Sequence, residues 1–231
     1  MCKVFYWVCF LGLSLPASAE EPAAGASREA LEKWFEEDTS TKTKVEDINE
    51  GQLDFLKQAP AGEAIHHHQN KVKITAESLD EGWAQLEQCH ENLDQVAAMQ
   101  ITFRDGYIRD MQVTEQRNIG KAWVEGSSLQ LSKVGENARI CLQARTRALR
   151  FQDDGTYVLV NGPYMRKFLD GYYPMRVSMQ IEYPANLLEV GTVTPNNQPG
   201  FAVQQQEGVV GFDALFEGEL RTSIQFEALG L

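Results

Sequence analysis

In Ala138-Arg139-Ile140-Cys141-Leu142-Gln143-Ala144 apolar and polar residues alternate without a break. A period of two sends Ile140 and Leu142 to one face of an extended chain and Cys141 to the other. No helical stripe can be drawn through these residues, so the segment reads as a β-strand. The same pattern recurs outward from it. Lys71-Val72-Lys73-Ile74-Thr75 alternates charged and apolar residues, as a strand with one wet face does. Phe151 to Val160 reads as strand, turn and strand around Asp154-Gly155. Ile101 to Arg104, Asp105-Gly106 and Tyr107 to Arg109 give a hairpin signal, because Asp-Gly tolerates the positive φ of a two-residue turn. Leu53 to Leu56 and Val45 to Ile48 are shorter strand candidates, and Pro60-Ala61-Gly62 is a turn. Residues 83–93 fit either state and are read as a strand from their β surroundings. Ser78-Leu79-Asp80-Glu81 matches a capping box.

The N-terminus reads differently. Lys3 is followed by an almost wholly apolar run from Val4 to Leu15, and then by Ala17-Ser18-Ala19. This is the order of a secretory signal, with cleavage expected after Ala19. The run is about half the ~20 residues of a spanning helix, which argues against a retained anchor. A periplasmic home is expected, secretion being the variant of that reading. Residues 20–40 then form a small-residue linker and a short helix from Arg28 to about Glu37. Ala30, Leu31, Trp34 and Phe35 would make one apolar stripe on that helix.

The chain has 231 residues and a formal charge of −12, which becomes −13 when Lys3 leaves with the leader. An acidic chain lacks the basic surface that nucleic acid requires, and charge alone does not draw it to anionic lipid. Past the leader no segment is apolar enough to span a membrane. Two of the four cysteines remain after cleavage, Cys89 and Cys141. An even count in an oxidising compartment predicts that they are bonded, contributing at most about 4 kcal/mol. Neither has a CxxC neighbour, so a redox-active dithiol is not expected.

Residues 99–149 and 179–229 align without a gap at 9 identities in 51 positions, against about 3 expected by chance. Met99-Gln100-Ile101 matches Met179-Gln180-Ile181, and Ala148-Leu149 matches Ala228-Leu229. The expectation is a mainly β protein of two similar antiparallel, sandwich-like units, at 41–150 and 179–231. A connector at 151–178 would include a short helix over Pro163 to Asp170.

Three groups of residues could carry function. His66 and His68 share a strand face, and His90 could join them as metal ligands; a wet histidine run is the plainer reading. The connector is rich in aromatics and bases, the mixture found at interface centres. Tyr164, Arg166, Phe168, Tyr172 and Tyr173 are its partner-binding candidates. A plug that buries Tyr164, Phe168 and Tyr172 between the units, leaving Arg166 and Lys167 wet, is the default alternative. Finally, no nucleophile elbow, zincin motif, Walker A or dinucleotide fingerprint is present, and no catalytic residue or cofactor is assigned. The leading expectation is an exported, non-enzymatic β protein that binds or scaffolds a protein partner in the cell envelope. A periplasmic metal-binding protein and a hydrolase of unrecognised type are the alternatives. The sequence leaves the oligomeric state open.

Overall fold

A computed structural model describes residues 51–62 and 64–230. The expected leader, the 20–40 linker and helix, and the 45–48 strand candidate lie outside the described residues. The rest is mainly β, built as a sandwich of a nine-stranded and a four-stranded sheet.

The large sheet runs in the order β1 (Asp54–Phe55), β14 (Val209–Glu217), β11 (Met175–Glu182), β2 (His66–Lys73), β3 (Ala84–Leu93), β6 (Ser128–Thr146), β4 (Val96–Thr102). β13 (Phe201–Gln206) also pairs with β14, and β5 (Ile108–Glu125) with β6. The small sheet is β12 (Leu188–Thr194), β15 (Leu220–Ala228), β8 (Thr156–Tyr164) and β7 (Leu149–Phe151). A separate two-stranded hairpin joins β9 (Arg166–Phe168) to β10 (Gly171–Tyr173). All pairings are antiparallel except β2 with β11, which run parallel over Met175↔His66 to Glu182↔Lys73.

Alternation determines which side is dry. Val72, Leu86, Ile140, Leu142, Val177, Ile181, Val210 and Phe212 point inward from the large sheet. They meet Leu159, Leu188, Leu220, Ile224 and Phe226 from the small one in a single apolar cluster. Residues at the intervening positions form the outer face of the large sheet. Cys141 stands there between buried Ile140 and Leu142, as the 138–144 alternation requires.

Several expectations are corrected. The Asp105-Gly106 turn forms, with Tyr107 N–H donating to the Arg104 carbonyl at 3.0 Å. The strands it joins are not partners, because β4 and β5 both pair with β6. A two-residue turn signal sees only its own backbone, while the long β6 offers each strand a more extensive ladder. The helix α1 (Ala76–Glu81) starts earlier than the 78–81 box implies: Thr75 is the N-cap and forms a capping box with Ser78. Gly82 closes it at φ 75°, where a side chain would be strained. The 163–170 segment is strand and hairpin, not a helix. Gly162 and the β15 ladder commit the chain to extension up to Tyr164. Residues 83–93, read as a strand, hold β3.

The aligned halves occupy unlike positions. Met99 lies in β4, paired only with β6. Met179 lies in central β11, between β14 and β2. The large sheet draws strands from both halves, β4, β5 and β6 from the first and β11, β13 and β14 from the second, and the described residues fall in one compact unit.

The open edge of β5 is interrupted by bulges near Asp110 and Asn118, both at positive φ. Such bulges, with the flanking charges, blunt an edge against pairing with another chain.

Candidate functional site

The parallel β2–β11 pairing brings distant segments together at the centre of the large sheet. Because β2 alternates, His66 and His68 enter the core face, while His67 and Gln69 join the outer face. Two polar constellations result, back to back.

On the outer face, register places Asp213 (β14), Ser178 (β11), Gln69 (β2), Cys89 (β3) and Cys141 (β6) in one row. The neighbouring row holds Arg176, His67, Glu91 and Arg139. Gln69 Nε2 donates to His67 Nδ1 at 3.1 Å. A side-chain amide nitrogen can only donate, so His67 carries its proton on Nε2. That N–H lies 2.7 Å from Ser178 Oγ, and Ser178 donates onward to Asp213 Oδ2 at 2.6 Å. Asp213 also accepts from Arg176 Nε at 3.0 Å and Nη2 at 2.9 Å. Burial alone would raise the Asp213 carboxyl. The hydrogen bonds from Arg176 and Ser178, with the guanidinium charge, outweigh burial and hold it below its ordinary value. His67 is lowered chiefly by burial, with Arg176 adding to the effect and Asp213 opposing it. At the other end of the row, Arg139 pairs with Glu91 and reaches Glu115 at 3.1 Å.

His67, Gln69, Cys89, Ser178 and Asp213 line a cleft of about 580 Å³ whose far lip is Gln204–Gln206 of β13. Its floor is low at Gly211, set between Gln204 and Gln180, where a Cβ would collide with the Met179 carbonyl. The cleft wall carries amides and the charged residues Lys71, Glu87 and Asp213; Asp213 pairs with Arg176, and Lys71 with Glu182 at 2.9 Å.

Cys89 and Cys141 are direct cross-strand partners and form the expected disulfide, with Cα atoms 4.1 Å apart. Arg139 stands 3.6 Å from Cys89 Sγ and Glu115 3.7 Å from Cys141 Sγ. The guanidinium makes Cys89 the better leaving group, so an attacking thiolate should strike Cys141. That sulfur belongs to the more buried residue and faces a carboxylate. The arrangement therefore favours a structural staple, consistent with the missing CxxC.

On the core face, the structure does bring His66, His68 and His90 together. Gln88 Nε2 donates to His90 Nε2 at 2.7 Å, which places the His90 proton on Nδ1. Nδ1–H then donates to His66 Nε2 at 3.1 Å. His68 stacks on His90 with ring centroids 4.1 Å apart, and the Tyr164 ring meets His68 edge-on at 5.1 Å. Stacked rings hold their lone pairs in nearly parallel planes, and one His66–His90 contact is already a hydrogen bond. The three rings do not present nitrogens to a common point. Among the described residues no group of three or more His, Cys, Asp or Glu is placed to hold a metal ion. Burial lowers His66 to about 4 and His68 to about 3, and takes His90 well below its ordinary value. All three are neutral at pH 7. His68 Nε2 and Asn70 Nδ2 are buried without a protein partner, as are Asn161 Nδ2 and Thr222 Oγ1 on the paired small-sheet rung.

The connector candidates divide. Tyr172 is buried and Tyr164 sits against His68, as the plug reading expects. Phe168 is 42 % exposed, which the plug reading did not expect. In a hairpin, residues four apart need not share the face they would share on a helix. Arg166 is not left wet: it is tied to Asp94 at 2.7 Å. Tyr173 lies edge-on to Phe168 at 5.3 Å and donates to Asp170 at 2.7 Å.

Ser178, Asp213, Arg176 and Gln69 were not singled out in the sequence. Alternation in 175–182 and 209–217 puts Ser178 and Asp213 on polar faces, but only the long-range pairings bring them to His67.

No family model matches the chain, and no curated protein does. Among solved structures, it is similar to an M1 zinc metallopeptidase variant from Deinococcus radiodurans bound to a Tyr-Ser-Ala substrate, at TM-score 0.40 and 10 % identity. A two-domain M1 zinc metallopeptidase variant bound to L-tryptophan is similar at TM-score 0.37 and 11 % identity. In both cases the match covers 77 % of this chain and 43 % of the other. The chain thus spans less than half the length of either.

Proposed function

We propose that the chain is an exported, non-catalytic binding protein of the cell envelope that takes a protein partner in the outer-face cleft. The observation that carries this reading is the direction of the hydrogen bonds through His67. A serine nucleophile needs an imidazole nitrogen free to accept its proton. Here His67 Nε2 is the donor, and the Ser178 proton is committed to Asp213. The residue types are those of a hydrolase, but the wiring is reversed. It rigidifies a polar surface and leaves Ser178 unactivated.

The lining supports a polypeptide partner. Gln180, Gln204, Gln205 and Gln206 offer both donors and acceptors, the complement of an extended backbone. Export rests on the leader pattern, and a disulfide is at home in an oxidising compartment.

The test replaces Gln204 with a photo-crosslinking residue in cells, and Arg221 in a second strain as the control. Arg221 is exposed on the small sheet, away from the cleft lining. A discrete crosslinked envelope protein from position 204 and none from 221 is expected. The same products from both positions, or none from 204, overturns the reading.

A further inference from the structure

Arg104, Arg109, Arg145, Arg147 and Arg150 gather at one end of the large sheet. Period two puts Arg145 and Arg147 of β6 and its continuation on the same outer face as Cys141. Ala84 of β3 and Ile108 of β5 are both in register with Thr146. One residue outward on the three strands stand Trp83, Tyr107 and Arg147, and the Arg147 N–H donates to the Tyr107 carbonyl at 3.0 Å. The Asp105-Gly106 turn folds Arg104 back over the Tyr107 ring at 4.1 Å, and Arg150 reaches the same ring at 5.8 Å. Arg109 lies over Trp83 at 4.2 Å, while the Arg147 side chain runs past Gly82.

The charges in this group do not balance. Glu81 of α1 reaches Arg145 at 3.6 Å and Arg109 at 3.8 Å, and Asp110 reaches Arg109 at 3.7 Å. Among the described residues no carboxylate comes within ion-pairing distance of Arg104, Arg147 or Arg150, and all three are exposed. Like charges brought together on a sheet repel. A chain with 33 acidic against 21 basic residues has carboxylates to spare, yet none is set against these three. A guanidinium over an aromatic ring is restrained without spending its N–H donors. Arg104 and Arg150 share one ring, so their free donors are within reach of one compact anion.

We propose that this end of the sheet is a binding site for a phosphate-bearing ligand, held by Arg104, Arg147 and Arg150 around Tyr107. Phosphate suits the site because a guanidinium fork pairs with it bidentately, and one phosphoryl group carries enough charge and oxygens to answer more than one fork. None of these residues lines the outer-face cleft, so the site stands apart from the partner-binding reading. Soluble phosphorylated compounds and phospholipid headgroups share this chemistry.

Two probes test this on the purified chain at low salt: inorganic pyrophosphate by calorimetry, and phosphatidylglycerol vesicles by flotation, with phosphatidylcholine vesicles as the blank. Saturable binding of either probe is expected; pyrophosphate alone assigns a soluble ligand, vesicles alone a headgroup. Arg104→Gln and Arg150→Gln should each weaken that binding about 10-fold. Arg221→Gln, on the exposed side of the small sheet, should leave it unchanged. In the unaltered protein the side-chain Nε–H signals of Arg104, Arg147 and Arg150 should shift in NMR spectra as the bound probe is added. No saturable binding of either probe, an equal loss in Arg221→Gln, or shifts confined to other arginines overturns the proposal.

Discussion

His66 and His68 on the one hand and His67 on the other are consecutive in sequence, yet they meet opposite conditions. The first two enter the sandwich, where they form a stacked, uncharged cluster with His90. The third joins a surface chain of donors ending at an ionised Asp213 backed by Arg176. Identical side chains thus do different chemistry because a strand turns each residue through half a revolution. Water excluded from the inner face makes protonation costly; on the outer face burial and Arg176 also lower His67, and Asp213 only partly offsets them. Whatever pH sensitivity the protein has should therefore reside inside, and its contact chemistry outside.

The largest expected effect is on the inner face. Neutral buried histidines have folded pKa values below the unfolded value of about 6.5. As pH falls below that value the unfolded chain gains protons that the folded chain refuses, so stability falls with pH. The loss continues down to the folded values, about 4 for His66 and about 3 for His68. At pH 5 His66 and His68 should each have cost about 2 kcal/mol relative to pH 7, and His90 adds to the loss in the same direction. Urea unfolding at the two pH values measures this. Equal midpoints would show that the cluster is solvated. Asp213, held low, loses its contribution only at more acid pH and in the same direction.

His90→Leu sharpens the comparison at smaller scale. His90 is 5 % exposed and links Gln88 to His66. Its removal leaves a buried amide and an imidazole nitrogen without partners, a cost of about 2–3 kcal/mol at pH 7. It also deletes one of the three titrating rings. The gap between variant and parent should then narrow at pH 5, since the variant no longer carries His90's share of the acid response. A gap independent of pH would mean that His90 does not share in the acid response.

How much of this was legible in the sequence follows from the range of each signal. Alternation correctly assigned Ile140, Leu142 and Cys141 to their faces, since period two is a property of seven adjacent residues. The Cys89–Cys141 bond could be expected because only these two cysteines lie past the leader pattern of residues 1–19. The histidine cluster was legible as a set but not in its arrangement, because nothing local encodes ring stacking. Ser178–His67–Asp213 was hidden: it needs the parallel β2–β11 register, which joins residues more than a hundred apart. The connector misled for a related reason. The spacing of Tyr164, Phe168 and Tyr172 fits a helix, but the β15 ladder holds the chain extended up to Tyr164, and past it the segment folds back as the β9–β10 hairpin. The 99–149 and 179–229 match did not foretell like positions: Met99 lies in β4 beside β6, and Met179 in central β11 between β14 and β2.

The smallest expected effect is on the outer face. Ser178→Ala breaks the chain between His67 and Asp213. Asp213 keeps its two-point contact with Arg176, and His67 keeps the Gln69 amide on Nδ1. The freed His67 Nε2 borders the cleft and can turn to water, while Asp213 Oδ2 still accepts from Arg176. One hydrogen bond to a charged group is then exchanged for hydration, a loss of about 1 kcal/mol. The acid response should be unchanged, because no inner histidine is touched. In the unaltered protein Ser178 should also resist a fluorophosphonate, since its proton is held by Asp213 and His67 Nε2 has no lone pair to receive it. Mass spectrometry of the treated protein decides this. A phosphonylated Ser178, or a loss of several kcal/mol in Ser178→Ala that grows at pH 5, would collapse the distinction between the two faces.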